Sequence, residues 1–278
     1  MNFSLSLRKQ KLSNQLMQKR EINKPIPKNS NLIEIHTLDL SNHVEQINLY
    51  NSITNPSTQI QFLIETIIKE SNQSVITEKS LLFYSINETS YPTKDIIKFC
   101  LAKFISFLEN TDLNENTKLV FPNEFVAVLI YESWISNDIR VRQCCLDILN
   151  EYSYNSEHLS EYVNENTYAF GRFYEITYHT DINIVETDII VYTNVLIETT
   201  DAVIKKVSQK FPLYLRGIEL LTADLSKFDT KMVIEFKLSM IDFISQAIRG
   251  CNDINVGNNY INKYKYIIGR KKFVINRN

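Results

Sequence analysis

The sequence is poor in the residues that make tight turns, with five glycines and six prolines among 278 residues. All-β proteins depend on many such turns, in which glycine and proline are common. The scarcity of both residues therefore argues against an all-β fold. It favours helices joined by loops in which asparagine supplies the turns, and we predict an all-α chain.

The sequence also lacks the spacings that are typical of metal sites and common catalytic centres. Its four cysteines show no Cys-x-x-Cys pattern, and no two of them lie near a histidine in a zinc pattern. The four histidines are scattered, and neither a glycine-rich phosphate loop nor a nucleophile motif is present. We predict no metal, no cofactor and no enzymatic activity; an enzyme with an unrecognised site is the least favoured alternative. The thiols predicted to be reduced and buried are Cys100, Cys144, Cys145 and Cys251.

Long apolar runs are absent as well. No uninterrupted apolar stretch approaches the roughly 18 residues that span a bilayer. Basic residues begin at Arg8, where a secretory signal would have its apolar core. We therefore predict an intracellular soluble protein that does not associate with membranes.

Positive and negative charges are separated along the chain. Residues 1–28 carry a net charge of +6, and so do residues 261–278. Because the whole chain carries −2, the residues between these ends carry −14. An acidic body of this kind attracts basic peptides and repels nucleic acid, so we predict no direct binding to nucleic acid.

The segments between loops have the apolar spacing of helices that bury one face, as at Ile60, Leu63, Ile64 and Ile67. Such segments repeat along the chain, which is typical of stacked helical units that bury their faces against neighbours. Residues 182–200 are ambiguous because their β-branched residues also favour a strand; we predict a helix over 188–198, since neighbouring helices offer no sheet partner. The predicted organisation is a basic helix (1–28), a tether (29–55), helical repeats (56–260) and a basic C-terminal tail (261–278).

The N-terminal stretch from Leu7 to Arg20 forms an amphipathic basic helix when it is drawn with 3.6 residues per turn. Charge alone allows two interpretations, a solvated disordered tail or a helix that docks on an acidic partner. The order of residue types resembles the importin-β-binding segment of importin-α adaptors. The resemblance implies binding to an importin-β-like receptor through Leu7, Arg8, Lys9, Lys11, Leu12, Leu16, Lys19 and Arg20.

Four helical segments each end in an amide side chain four residues after their first member: 83–87, 146–150, 190–194 and 242–246. Residues i and i+4 lie on one face of a helix, so stacked helices would present a row of amides. These segments look like the third helices of armadillo repeats, whose importin-α versions carry tryptophan followed four residues later by asparagine. The resemblance implies a right-handed superhelical armadillo/HEAT-type solenoid. It implies a peptide-binding groove formed by Phe83, Asn87, Leu146, Asn150, Asn194, Glu198, Asp242 and Gln246.

Together, the two resemblances imply a nuclear import adaptor. The N-terminal helix would bind an importin-β-like receptor, and the acidic groove would bind cargo proteins through basic nuclear localisation peptides. Such an adaptor works in the cytoplasm and the nucleus. The alternative that the sequence leaves open is a helical-repeat interaction scaffold with no part in nuclear transport.

Overall fold

The computed structural model describes residues 33–71, 93–110, 120–155 and 157–250. These ranges contain helices and no strands, which confirms the all-α prediction. The predicted segments 1–28 and 261–278 lie outside them. The α-helices of the described ranges are α1 (Val44–Ser52), α2 (Pro56–Glu70), α3 (Asp95–Asn110), α4 (Asn123–Ile135), α5 (Ile139–Asn155), α6 (His158–Glu165), α7 (Tyr168–Ile176), α8 (Ile182–Glu198), α9 (Asp201–Lys210), α10 (Leu213–Thr222) and α11 (Thr230–Ala247). The 3-10 turns are Ile35–Thr37, Ser41–His43 and Ile248–Gly250.

The described part of the predicted tether, residues 33–55, is not a free linker. It contains α1 and two 3-10 turns, and Ile33 is buried in the hydrophobic core. The ring of Tyr50 lies 6.0 Å from Phe62 of α2 and 5.9 Å from Phe99 of α3, measured between centroids. The prediction of a tether is therefore corrected here, because apolar residues in this segment find partners on the helices that follow.

The segment whose β-branched residues also favour a strand forms helix α8, which confirms the predicted helix. The helix begins at Ile182, six residues before the predicted start at position 188. Asp181 is the reason, since its side chain accepts a hydrogen bond of 2.8 Å from the backbone N–H of Asn183 and caps the first turn. Most side chains of α8 are buried between neighbouring helices. Packing on several sides therefore outweighs the strand propensity of the β-branched residues.

The long helices pack in succession, α3 against α5, α5 against α8, and α8 against α11. Helices α5, α8 and α11 also pack against the helices that precede them in the chain, in the pairs α4–α5, α7–α8 and α10–α11. The contacts of α5 with α8 advance along both helices, from Gln143–Thr187 to Ser153–Asn194. Helices α5 and α8 therefore run parallel.

A contact between an arginine and an aromatic ring recurs at an interval of 44 residues. The guanidinium of Arg172 in α7 lies 3.6 Å from the ring centre of Trp134 in α4. The guanidinium of Arg216 in α10 lies 3.7 Å from the ring centre of Tyr178, just after α7. Each guanidinium also pairs with the glutamate three residues further along its own helix, at 2.9 and 3.0 Å. Because Arg172 and Arg216, like Trp134 and Tyr178, are 44 positions apart, the described helices contain an internal structural repeat.

Gly217 allows α10 to approach α11 closely. A Cβ atom at this position would lie 2.5 Å from Cγ1 of Ile244 and 3.2 Å from Cδ1 of Phe243. We expect Gly217→Val to lower the free energy of unfolding by about 2–3 kcal/mol through overpacking, as measured by urea denaturation. Gln209→Ala on the exposed face of α9 should change it by less than about 0.5 kcal/mol. Equal stabilities of the two variants would contradict the close approach.

Within the described ranges, every helix is too short or too polar to span a membrane.

Candidate peptide-binding surface

Two of the predicted amides, Asn150 of α5 and Asn194 of α8, lie near the interface between these helices. The side-chain N–H of Asn194 donates to Oγ of Ser153 over 2.8 Å. Ser153 in turn donates to the backbone carbonyl of Asn150 over 2.7 Å. The hydroxyl of Ser153 therefore joins the side-chain amide of Asn194 to the main chain of α5 at Asn150.

The third amide, Gln246 of α11, lies beside the C-terminal end of α8. Arg249 follows α11 and donates both to Oε1 of Gln246, at 3.2 Å, and to the carbonyl of Leu196, at 2.8 Å. Leu196 is two residues beyond Asn194. We call Asn150, Ser153, Asn194 and Gln246 the amide strip. Phe83 and Asn87, which were predicted to extend it, lie outside the described residues.

The amides of the strip are less exposed than a row of open hydrogen-bonding groups would be. The exposed fractions are 7% for Asn150, 5% for Asn194 and 8% for Gln246. Nδ2 of Asn194 and Oε1 of Gln246 form hydrogen bonds within the protein, but Oδ1 of Asn150 accepts no hydrogen bond in the described part of the chain. A buried amide oxygen without a donor is costly, so a donor that reached this buried oxygen would stabilise it.

Leu146 requires a correction. Its side chain is fully buried in the core of the stack, so it does not form a wall of a groove. Glu198 and Asp242 are exposed, as residues that contact a peptide must be. They place two carboxylates on α8 and α11 beside the strip, and their negative charge favours a cationic ligand.

Sequence patterns did not identify two of the polar groups that hold α5 and α8 together. Nε2 of Gln143 donates to Oγ1 of Thr187 over 2.9 Å and to Oδ1 of Asp147 over 2.8 Å. Gln143 and Thr187 are 44 residues apart, as are Asn150 and Asn194. A search of the sequence for polar pairs at this interval would have found the contact.

Asp188 of α8 is a buried acid in this region. It has no exposed surface, and both carboxylate oxygens lack hydrogen-bond partners in the described part of the chain. Burial raises the pKa of Asp188 well above its ordinary value. Asp188 lies inside the stack and does not contribute a charge to the surface beside the strip.

The cysteines of the described ranges, Cys100, Cys144 and Cys145, are buried thiols that form no disulfide. Burial raises the pKa of Cys100 to about 12, so its thiol stays protonated and unreactive at neutral pH. Cys251 lies outside the described ranges. No group of His, Cys, Asp and Glu side chains suited to a metal ion occurs among the residues that the structure describes.

Comparisons with known proteins identify no relative, since no family model, no curated protein and no solved structure matches this chain.

Proposed function

We propose that this protein is a nuclear import adaptor of the importin-α kind. The observation that carries the proposal is the amide strip, which lies on the long helices α5, α8 and α11 beside the exposed carboxylates of Glu198 and Asp242. Amides can bond the main chain of an extended peptide whatever its sequence, and the acids select basic side chains. No chemical step is required; the function is binding.

We further propose that the helical stack is an armadillo/HEAT-type solenoid with a right-handed superhelical course. The grouping of helices supports this. Helices α6, α7 and α8 contain 8, 9 and 17 residues, and α9, α10 and α11 contain 10, 10 and 18. Each group thus consists of two short helices and a long one, and the long helices carry the amide strip. Solenoids of such units present extended surfaces for binding.

The basic segment from Leu7 to Arg20 supplies the second half of the proposal. Without an importin-β-like receptor, this segment can occupy the acidic surface of its own chain. An intramolecular peptide has an effective concentration in roughly the millimolar range, which is enough to oppose a weakly bound cargo. Receptor binding would remove the segment and open the surface to basic localisation peptides.

The receptor half is tested by titrating importin-β against the full chain and against a variant with Arg8, Lys9, Lys19 and Arg20 changed to alanine. We expect binding by the unmodified chain and at least roughly a hundredfold loss in the variant, because four charge-assisted contacts are removed. Lys263→Ala with Lys265→Ala in the C-terminal tail controls for a general loss of positive charge. Equal binding by all three proteins, or no binding by any, would contradict this half of the proposal.

The cargo half is tested by fluorescence anisotropy with a labelled lysine-rich peptide. Reversing the charges of Glu198 and Asp242 to lysine should weaken binding roughly tenfold, since two exposed attractions become repulsions. Glu161→Lys on the exposed side of α6 is the control outside the strip. Asn150→Ala removes the unpartnered oxygen and should also weaken capture. If Glu161→Lys weakens binding as much as the double reversal, the effect is one of net charge, and the amide strip is not the site.

One observation favours a second candidate function, an interaction scaffold without a role in nuclear transport. The amides of the strip are at most 8% exposed and take part in contacts between helices. A scaffold would bind its partners on other surfaces, such as the exposed faces of α9 and α10. Crosslinking followed by mass spectrometry separates the two, since an adaptor places its partners beside Glu198 and Asp242.

A further inference from the structure

The ring of Phe211, in the short link between α9 and α10, covers part of α7. A Cβ atom on Gly171 of α7 would lie 2.8 Å from Cζ of this ring. The ring centre of Phe211 also lies 5.3 Å from that of Tyr174, further along α7. The chain that follows the group α6–α8 therefore covers the second helix of that group.

The corresponding part of α10 lacks such a cover in the described part of the chain. The 44-residue interval of the internal repeat places Leu215 of α10 at the position of Gly171, and Ile218 at that of Tyr174. Leu215 is 59% exposed, so no described residue covers it as Phe211 covers Gly171. An array of stacked repeats needs a terminal element over the apolar surface of its last unit.

Leu215 lies at the side of a groove between α9 and α10. The groove is apolar where α10 begins and polar along α9; its lining includes Pro212, Tyr214, Leu215, Lys205 and Gln209. A segment that enters it can bury apolar side chains against α10 and keep its polar groups beside α9.

Gly250, the last described residue, lines the same groove. The turn that ends there is held by Arg249, which donates to the carbonyls of Leu196 and Thr199 at 2.8 and 2.6 Å. A Cβ atom on Gly250 would lie 3.0 Å from the carbonyl oxygen of Ile204, so the turn packs closely on α9. The next residues therefore start at the groove, and ten of them reach at most about 35 Å from it.

The charges beyond Gly250 distinguish two parts of the remaining chain. Residues 251–260 include one charged residue, Asp253, whereas residues 261–278 carry a net charge of +6. Lys205 is exposed at the groove and would repel the basic part. The segment that fits the groove by charge is therefore 251–260.

The same segment ends in an aromatic residue at the position that the repeat requires. Phe211 follows Glu198, the last residue of α8, by 13 positions. Tyr260 follows Ala247, the last residue of α11, by the same number.

We propose that residues 251–260 dock in the groove between α9 and α10, and that the ring of Tyr260 covers Leu215 as Phe211 covers Gly171. This segment is then the terminal cap of the helical array. The proposal does not depend on the adaptor function.

The placement is tested by photo-crosslinking of the full chain, with Tyr260 replaced by the photoreactive aromatic residue p-benzoylphenylalanine. We expect mass spectrometry to find crosslinks within one molecule from position 260 to residues 212–218. Leu215→Lys should remove most of this product, because burying a charge at the contact is costly. Leu49→Lys on α1 is the matched control, since Leu49 is a leucine of similar exposure (55%) outside the groove. Crosslinks to another part of the chain overturn the proposal, and crosslinks between two molecules overturn it in favour of a second copy.

Thermal unfolding of the full chain supplies a second measurement. If Tyr260 covers Leu215, then Leu215→Ala and Tyr260→Ala should each lower the Tm by about 3–6 °C. The double variant should lose little more than either single variant, since both changes remove the same contact. Leu49→Ala should change the Tm by less than about 2 °C. The proposal is overturned if Leu215→Ala lowers the Tm no more than Leu49→Ala does, or if the two effects add in full.

Discussion

Replacing Asp188 with asparagine is expected to raise the free energy of unfolding by about 1–3 kcal/mol at pH 8. Asp188 has no exposed surface, and its two oxygens lack hydrogen-bond partners in the described part of the chain. At this pH the unfolded chain gains the full hydration of a carboxylate, which the folded chain cannot supply. Asparagine has nearly the same shape and cannot ionise, so the variant removes this difference.

The pH dependence of the free energy of unfolding tests the ionisation of Asp188 more directly than its value at a single pH. Because burial raises the pKa of Asp188 in the folded state above 3.8, the folded state holds this proton more tightly than the unfolded state. No penalty exists below pH 3.8, where both states are protonated. The stability of the unmodified chain should then fall as the pH rises from 3.8 toward the folded-state pKa, by at most about 1.4 kcal/mol per pH unit.

Urea denaturation from pH 4 to pH 8 measures this effect. The advantage of Asp188→Asn over the unmodified chain should grow as the pH rises from 4 toward the folded-state pKa and stay constant above it. Asp224→Asn serves as a control whose effect on the free energy of unfolding has the opposite sign, because hydrogen bonds from Ser226 lower the pKa of Asp224. That acid contributes stability above its unfolded pKa, so its replacement should weaken the chain at neutral pH. A constant difference between Asp188→Asn and the unmodified chain at every pH would show that Asp188 does not change its ionisation on folding.

Replacing Arg249 with methionine is expected to lower the free energy of unfolding by about 2–3 kcal/mol. Arg249 donates to the carbonyls of Leu196 and Thr199, at 2.8 and 2.6 Å, and pairs with Asp201. The carbonyls at the end of a helix have no partners within that helix. Removing Arg249 takes a donor from the carbonyl of Thr199 and leaves that of Leu196 with the backbone N–H of Thr199. It also removes the bonds that join the end of α8 to the turn that follows α11.

Chemical denaturation gives the size of this loss, and hydrogen exchange gives its location. Exchange should rise most in the last turn of α8 and in α11. Arg249→Lys should recover little, since an ammonium cannot reach two carbonyls and a carboxylate with one planar fork. Asp201→Asn should cost no more than about 1 kcal/mol because Asp201 is exposed. A smaller loss for Arg249→Met than for Asp201→Asn would show that the carbonyl bonds do not hold the helices together.

The helices themselves could be predicted from the sequence because their causes are local. The spacing of Ile60, Leu63, Ile64 and Ile67 places these side chains on one face of α2, and all four are buried there. The i, i+4 spacing likewise placed Asn150, Asn194 and Gln246 on corresponding helices. The start of α8 was missed because it depends on a single cap, the side chain of Asp181.

The environment of the amides could not be predicted, because it depends on residues far away in the sequence. Asn194 bonds to Ser153, which lies 41 positions earlier, and Arg249 reaches Leu196 across 53 positions. Periodicity within a helix carries no information on such contacts. The same reason explains why the sequence could not place Arg172 over the ring of Trp134. Only the 44-residue interval between Arg172 and Arg216 indicates that the two contacts are related.

The contact between Arg172 and Trp134 provides a built-in optical reporter. The chain contains a single tryptophan, and it lies at the junction of α4 and α7 beneath a guanidinium. Its fluorescence therefore responds to the separation of that junction alone, whereas far-ultraviolet circular dichroism averages over every helix. If the stack opens from one end, the two signals will change at different denaturant concentrations; if it opens all at once, they will coincide.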